Sequence, residues 1–311
     1  MFNYLLRINL IIILFISCTN LYSMTAEELI EYTKKYKNIT LEYDVHPFLV
    51  FGIAWQETKF NPLTININKI STKLTKRSYY EFINIFSYLF NNQTTPIKAY
   101  RINCIFYKDN KILARKAYIF KKDNYEKLSN ILNADFIDLS DKGFNKVYIS
   151  SNYPIPFTFD TKTNAVLYTT RLTEIIDNID IGLTQINNKY WLKPNNIPVA
   201  KVFEPEFALM YSSKILAELR DETNKNLYKM IKYYHSRTNG IGDKYANATI
   251  KHINHFTNMF NTYVENMNNS KVQVAKNDIN NKTQIKSYKQ TNKKPMSITE
   301  VLAENNIIIL N

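Results

Sequence analysis

A run of apolar residues, Phe48–Trp55, leads almost directly into an acidic residue, Glu57. Pro47 precedes the run and suits the first turn of a helix, and Asn61-Pro62 supplies a stop signal. The apolar side chains occupy every side of the 3.6-residue period, so the pattern predicts a helix that is buried all round. A carboxyl group in such surroundings is unfavourable unless it is paired or chemically used, which makes Glu57 a candidate general acid.

Helical spacing of apolar residues recurs on both sides of the middle of the chain. Thr25 and Glu28 form a capping-box pattern that opens a helix to about Tyr36. Three further helices are predicted at Glu206–Arg220, Asn226–Tyr234 and from Tyr245 to about Met267. The segment from Asn268 to Lys294 is rich in Asn, Lys and Gln, so it is predicted to be a disordered tail. A capping box at Ser297–Glu300 precedes a last amphipathic patch.

The middle of the chain, residues 63–177, has a mixed pattern. It predicts an aromatic helix near Ser78–Phe90, strands at Tyr100–Phe106 and Ile112–Phe120 joined at Asp109-Asn110, and extended segments around Val147–Tyr168. The chain is therefore expected to be mainly α, with an α+β insertion.

The first 23 residues have the form of a secretory signal. Arg7 provides the positive end, an apolar core of about nine residues follows, and small and polar residues extend to Ser23. Two readings compete: cleavage after Ser23, or lipid attachment at Cys18, whose preceding residues form a poor lipoprotein box. The protein is expected outside the cytoplasm. Removal of residues 1–23 leaves Cys104 alone, so no internal disulfide is possible.

The net charge of +13 and the pI near 9.4 are compatible with several acidic partners. Nucleic acid is one. However, the lysines are spread along the chain and accompany heavy Asn, Ile and Tyr usage, a bias typical of an AT-rich genome. Peptidoglycan is another, because its stem peptides carry carboxylates. With 4 His and no closely spaced His/Cys/Asp cluster, the sequence predicts no metal site.

Taken one at a time, the polar motifs have ordinary explanations. Glu57 could reach solvent at a helix end or pair with Lys59, and the turn at Asp180 could be a simple loop-to-helix junction. Tyr234 fits the apolar face of a helix, and His235 alone is more often a satisfied histidine than a catalyst.

Together, and in their order, the motifs resemble those of the soluble-lytic-transglycosylase family, lysozyme-like enzymes that cut bacterial peptidoglycan. QETKFNP at 56–62 resembles the family's "QES-x-FNP", and DIGLTQIN at 180–187 resembles "D-x-GLMQIN". FEPE at 203–206 is similar to "LFDPE", and YHSRT at 234–238 to the "YHS-x-T" variant of the branch associated with pili, conjugation and secretion. The likeness covers about 26–62 and 178–266, and nothing between.

The resemblance implies a goose-type lysozyme-like helical domain and a role for each matched residue. Glu57 would be the catalytic acid and base, and Thr58 would keep the hydroxyl of the family's Ser. Gly182 and Gln185, after the turn at Asp180, would form a cleft wall against the glycan, with the glycine permitting close backbone approach and the Gln185 amide available to an N-acetyl group. Tyr234 would hold Glu57 in place, and His235 stands where the family has Asn. These seven positions are the predicted site: Glu57, Thr58, Asp180, Gly182, Gln185, Tyr234 and His235.

The predicted organisation has a signal peptide at 1–23 and a catalytic domain in two parts, 24–62 and 178–266. The insertion occupies 63–177, and a mostly disordered basic tail occupies 267–311. The expected activity is cleavage of the bond between N-acetylmuramic acid and N-acetylglucosamine with formation of a 1,6-anhydro ring. It needs no cofactor, and its partners would be glycan strands and proteins of a secretion or pilus apparatus, not nucleic acid. The alternatives are a hydrolytic muramidase, with Asp180 as a second acid, and a non-catalytic wall-binding component.

Overall fold

The computed structural model describes residues 24–92, 99–120 and 125–282. The predicted signal segment, with Cys18, and the terminal patch after Ser297 lie outside these residues. Within the described ranges, no helix combines the length and the apolar character needed to cross a bilayer. The described chain divides into two compact units, one formed by residues 24–59 and 213–282, the other by Phe60–Ser212.

Helices and strands alternate along the middle of the chain, whereas the described residues at its two ends form helices only. In chain order they are α1 (Ala26–Leu41), α2 (Pro47–Thr58), β1 (Thr64–Ile67), β2 (Ser71–Thr75), α3 (Lys76–Asn91), β3 (Tyr100–Lys108), β4 (Lys111–Phe120), α4 (Tyr125–Asp141), β5 (Lys146–Ser151), β6 (Ile155–Thr158), α5 (Lys162–Thr173), β7 (Ile179–Ile181), β8 (Ile186–Asn187), a π-helix (Asn188–Leu192), a 3-10 turn (Lys193–Asn195), α6 (Val199–Val202), α7 (Pro205–Glu222), α8 (Leu227–His235) and α9 (Ile241–Lys282). Helices hold most of the described residues, so the expectation of a mainly α chain is correct at that level, with two small antiparallel sheets added.

The first unit is built around α2. Every residue of Pro47–Ala54 is buried, as the apolar run predicted. Gly52 lets α9 approach closely, because a Cβ at this position would meet the side chain of Ile253. Phe48 packs edge-on against Phe260 of α9, with ring centroids 5.5 Å apart. The capping box that opens α1 is also confirmed, with reciprocal bonds between Thr25 and Glu28.

The N-cap of α2 is a histidine. Nδ1 of His46 accepts a hydrogen bond from the backbone N–H of Phe48 at 3.2 Å, and Pro47 occupies the first turn. Burial lowers the pKa of His46 to about 4, against 6.5 in an unfolded chain. Between these values the unfolded state binds the proton and the folded state does not, so stability falls as the pH is lowered through this window.

We therefore expect the His46→Asn protein to lose less stability than the parent between pH 7 and pH 4.5. Asparagine retains an N-cap acceptor but does not titrate, and the difference should be about 2 kcal/mol. Urea unfolding at both pH values measures it. The exposed His255→Asn serves as the control and should keep the parental pH dependence. Equal pH dependence of parent and His46→Asn would contradict the assignment.

The second unit contains both sheets. One has the strand order β6-β1-β7-β8 and the other β2-β5-β3-β4, all with antiparallel neighbours. The core is aromatic: the ring centroid of Phe86, in α3, lies 6.0 Å from those of Phe120 and Phe157.

Cys104 of β3 is buried and forms no disulfide among the described residues, and burial raises its pKa to about 12. The predicted hairpin turn is present, since Asp109 and Asn110 join β3 to β4 with positive φ angles.

Three sequence expectations are wrong in detail. The segment taken as extended to Tyr168 contains β5 and β6 but then turns helical at Lys162, because Thr161 caps α5 through the N–H of Asn164. Helix α4 was not predicted. Residues 268–282, expected to be disordered, continue α9, because neither Gly nor Pro interrupts the chain there. The remainder of the predicted tail lies outside the described residues.

The predicted insertion does not separate from the second motif. Strand β1, inside 63–177, pairs with β7, which carries Asp180, and with β6 on its other side. The β1–β7 pairing therefore crosses the predicted boundary between 177 and 178, and the chain passes from the second unit to the first between Ser212 and Ser213, within α7. The division near Lys59 lies close to the first predicted boundary.

Candidate functional site

Glu57 lies at the carboxyl end of α2 and is almost covered. Its side chain is 15% exposed, whereas that of His235, at the end of α8, is 39% exposed. Nδ1 of His235 is 3.6 Å from Oε1 of Glu57, which is ion-pair distance when the imidazole is protonated. The helix stops immediately afterwards because Lys59 adopts a left-handed conformation, with φ of 55°. Glu57 therefore lies in the last turn of α2, and Lys59 ends the helix.

A phenol completes the surroundings of Glu57. The ring of Tyr245, in α9, stacks on His235 with centroids 4.2 Å apart and planes 6° from parallel. Tyr245 is only 6% exposed. Burial raises its pKa well above the ordinary value, and the charge of Glu57 raises it further, so the phenol keeps its proton beside the carboxylate. Its oxygen and that of Thr249 meet no partner in strict hydrogen-bond geometry within the described residues. The contact with Glu57 is therefore electrostatic rather than a well-aligned hydrogen bond.

These side chains border an open pocket of about 570 Å³ in the first unit. The residues that line it are Gln56, Glu57, His235, Asn239, Gly240, Ile241, Lys244 and Tyr245. Glu57 is the single carboxylate in this lining. Lys244 and His235 supply the basic groups, so the pocket combines one carboxyl group with a surface that suits anionic or neutral polar ligands.

The loop that forms one side of the pocket is fixed by Asp243. This carboxylate accepts hydrogen bonds from the backbone N–H of Gly240 at 2.8 Å and from the hydroxyl of Tyr228 at 2.9 Å, and it pairs with the ammonium of Lys232 at 2.9 Å. The bond from Gly240, followed by Lys232 and Tyr228, lowers the pKa of Asp243 to about 2. The start of α9 and the loop before it therefore stay ordered around an ionised group above that pH.

Two other predicted residues belong to the first unit. The hydroxyl of Thr58 donates to the carbonyl of Ala54 at 3.2 Å, so its proton is used within α2. Tyr234 precedes His235 in α8 and lies near enough to Tyr245 to add to the rise of the pKa of that phenol, after burial and Glu57. The first unit thus brings together Glu57, Thr58, Tyr234 and His235.

Asp180 lies in the second unit, at the centre of an amide network. Its Oδ2 accepts from Nδ2 of Asn68 at 2.8 Å, and its Oδ1 accepts from Nδ2 of Asn187 at 2.6 Å. Asn178 accepts from the same two amides at 3.3 and 2.8 Å. The network joins β7 and β8 to the residue that follows β1, so Asp180 has a clear structural use.

Gly182 and Gln185 also serve the local fold of the second unit. Gly182 has φ of +77°, and a Cβ there would strike the backbone carbonyl of Val202. Nε2 of Gln185 donates to the carbonyl of Thr64 at 3.1 Å and to that of Gly182 at 2.9 Å. At Gly182 the close backbone neighbour is Val202 of the same unit. The amide hydrogens expected to contact an N-acetyl group hold β1 to the turn.

Sequence reasoning missed Tyr245 as a site residue and treated it only as the start of a helix. The available signal was the spacing of Tyr245 and Thr249, two hydroxyl-bearing residues one turn apart in the same helix. Among residues 24–92, 99–120 and 125–282, no cluster of three or more His, Cys, Asp or Glu could hold a metal ion.

No protein-family model, curated protein or solved structure matches the chain.

Proposed function

We propose that the protein is an exported peptidoglycan lytic transglycosylase with a lysozyme-like catalytic fold, and that Glu57 is its acid and base. The observation that carries the proposal is the position of Glu57. It is nearly buried, yet it borders an open pocket in which it is the single carboxylate of the described lining. A carboxyl group in this position is largely shielded from bulk water and can still reach a ligand in the pocket.

One acid suffices when the substrate brings its own nucleophile. Glu57 gives its proton to the oxygen that joins N-acetylmuramic acid to N-acetylglucosamine, and the bond from C1 to that oxygen breaks. The C6 hydroxyl of the muramic acid then bonds to C1 and returns its proton to Glu57, which closes the 1,6-anhydro ring. No water is consumed, and the intramolecular attack is favoured by entropy over capture of a water molecule.

The neighbours of Glu57 fit this cycle. The protonated phenol of Tyr245 stabilises the carboxylate that forms when Glu57 gives up its proton. His235, stacked on Tyr245, keeps both side chains in place and forms the exposed rim. Tyr245 and His235 are thus positioning residues, and Glu57 alone exchanges a proton with the substrate.

A hydrolytic muramidase would need a second group to activate water. Asp180, the carboxylate considered for this role, already accepts from the amides of Asn68 and Asn187. Because its oxygens are occupied in holding the sheet, it is a poor general base. This favours the intramolecular route over hydrolysis.

The released product tests the proposal. Purified mature protein incubated with sacculi should release muropeptides that end in 1,6-anhydro-N-acetylmuramic acid, lighter than the hydrolytic product by one water. Mass spectrometry of the soluble fraction distinguishes the two. Reducing ends alone would reject the transglycosylase route and keep the muramidase. No soluble fragments under any condition would favour a wall-binding component.

The export signal and the likeness to the secretion and pilus branch extend the proposal to location and partners. The protein would act in the periplasm, either free or anchored through Cys18, and would open the wall locally for such an apparatus. Retention of a Cys18→Ser protein in the soluble fraction, with the parent in membranes, would identify the anchored form.

A further inference from the structure

The second unit carries an aromatic and cationic hollow on the face formed by α3 and α4. This hollow, of about 440 Å³, is lined by Lys76, Arg77, Tyr80 and Phe136, which we call the Tyr80 surface. Tyr80 is 47% exposed, and its ring centroid is 5.1 Å from that of Phe136. Phe136 is half-buried, so Tyr80 supplies most of the exposed aromatic surface of the hollow. Exposed aromatic surface bordered by polar residues is a feature of binding surfaces.

Among the residues that the structure describes, the cations of the Tyr80 surface have no acidic partner. Neither Lys76 nor Arg77 forms an ion pair with any residue in the described part of the chain. The ammonium of Lys76 instead lies 5.8 Å from the ring centroid of Phe136 and 5.6 Å from that of Phe144, so its only described partners are aromatic rings.

The acids close to this surface in sequence are already neutralised. Glu81, one residue after Tyr80, pairs with Arg171 at 2.6 Å, and Asp138 pairs with Lys142 at 2.8 Å. The two cations therefore act on whatever enters the hollow. The complementary ligand has carboxylates for Lys76 and Arg77 and a flat apolar face for Tyr80.

We propose that the Tyr80 surface is a second binding site for peptidoglycan, with a lining separate from that of the catalytic pocket, and that it holds a sugar ring against Tyr80 and stem-peptide carboxylates against Lys76 and Arg77. The inference rests on the proposed function for its choice of ligand. It gives the α+β unit a role that catalysis does not require: it holds the wall while the pocket of the first unit acts on one strand.

Binding to sacculi tests the inference without interference from cleavage. The protein carries Glu57→Gln throughout, and binding is measured by depletion from solution at low and at 0.5 M salt. Arg77→Gln and Tyr80→Ala are compared with two controls from other exposed positions of the same unit, Lys111→Gln and Tyr153→Ala. Each is measured on intact sacculi and on glycan strands from which an amidase has removed the stem peptides.

Arg77→Gln should weaken binding to intact sacculi about threefold at low salt, because exposed charge pairs are modest and screened. On stripped strands it should have no effect. Tyr80→Ala should weaken binding about fivefold on both materials, because it removes the stacking face. Both side chains are at the surface, so both variants should melt like the parent.

Parental binding by both variants would overturn the inference, as would equal losses in the control variants, which would indicate non-specific charge. Failure of the proposed function is a separate result. It would show as absent cleavage by the protein with Glu57 intact, whatever the binding of the Tyr80 surface. An acidic protein segment as the true ligand would show as sacculus binding that neither substitution changes.

Discussion

Glu57→Gln is expected to abolish cleavage of peptidoglycan, with a loss of at least about 1,000-fold in the rate of release of soluble fragments. Glutamine keeps the shape of the side chain but cannot give a proton to the glycosidic oxygen or take one from the C6 hydroxyl. Because the residue lies at a helix end beside an open pocket, the fold and the binding of wall should be nearly unchanged. Turbidity of sacculi and chromatography of released muropeptides measure the rate.

The matched control is Glu42→Gln, which removes an exposed carboxylate of the same unit that does not line the pocket. It should cleave at the parental rate. Exchange of Asp180 or His235 should weaken activity less than exchange of Glu57. Clearance of peptidoglycan at the parental rate by Glu57→Gln would show that the acid is wrongly assigned.

Gly182→Ala is expected to destabilise the second unit by about 3 kcal/mol or more. Two costs add: an L-residue at φ of +77° is strained, and the new methyl group meets the carbonyl of Val202, which is backbone and cannot rotate away. The N–H of Gly182 also donates to the carbonyl of Thr64 at 2.8 Å, so a shift of the turn would loosen β1. Chemical denaturation of the purified protein measures the change.

Gly240→Ala separates the two costs. Gly240 has nearly the same φ, +78°, but a Cβ there meets nothing within 4 Å. Only the conformational strain should remain, about 1 kcal/mol. Equal destabilisation by the two alanines would mean that Val202 contributes nothing and that the turn at Gly182 is free to move.

The strand pairing also changes what a deletion should do. Because the likeness to the transglycosylase family skips residues 63–177, the sequence alone predicts that a short linker could replace them while cleavage of small fragments survives. In the structure β1 provides the pairing partner of β7, and Gln185 donates to Thr64. Removal of 63–177 would expose the edge of β7 and leave buried polar groups without partners, so the second motif should lose its fold.

The sequence by itself determined the features that depend on local patterns. The apolar run that ends at Glu57 specified α2, because side chains on every side of a helix must be buried. The capping box at Thr25 specified the start of α1, and Asp109-Asn110 specified the β3–β4 turn, because these residues tolerate positive φ. Glu57 could be singled out for the same reason: an acid at the end of an apolar helix is unusual.

Only the tertiary structure decided the features that join distant segments. Tyr245 comes to Glu57 from a helix that starts 184 residues after that glutamate. Asp180 finds its amide donors at Asn68 and Asn187, and β1 pairs with β7 across more than a hundred residues. Such pairings follow from which buried surfaces and backbone groups can be satisfied together. That depends on the whole fold, and a local pattern of apolar and polar residues does not contain it.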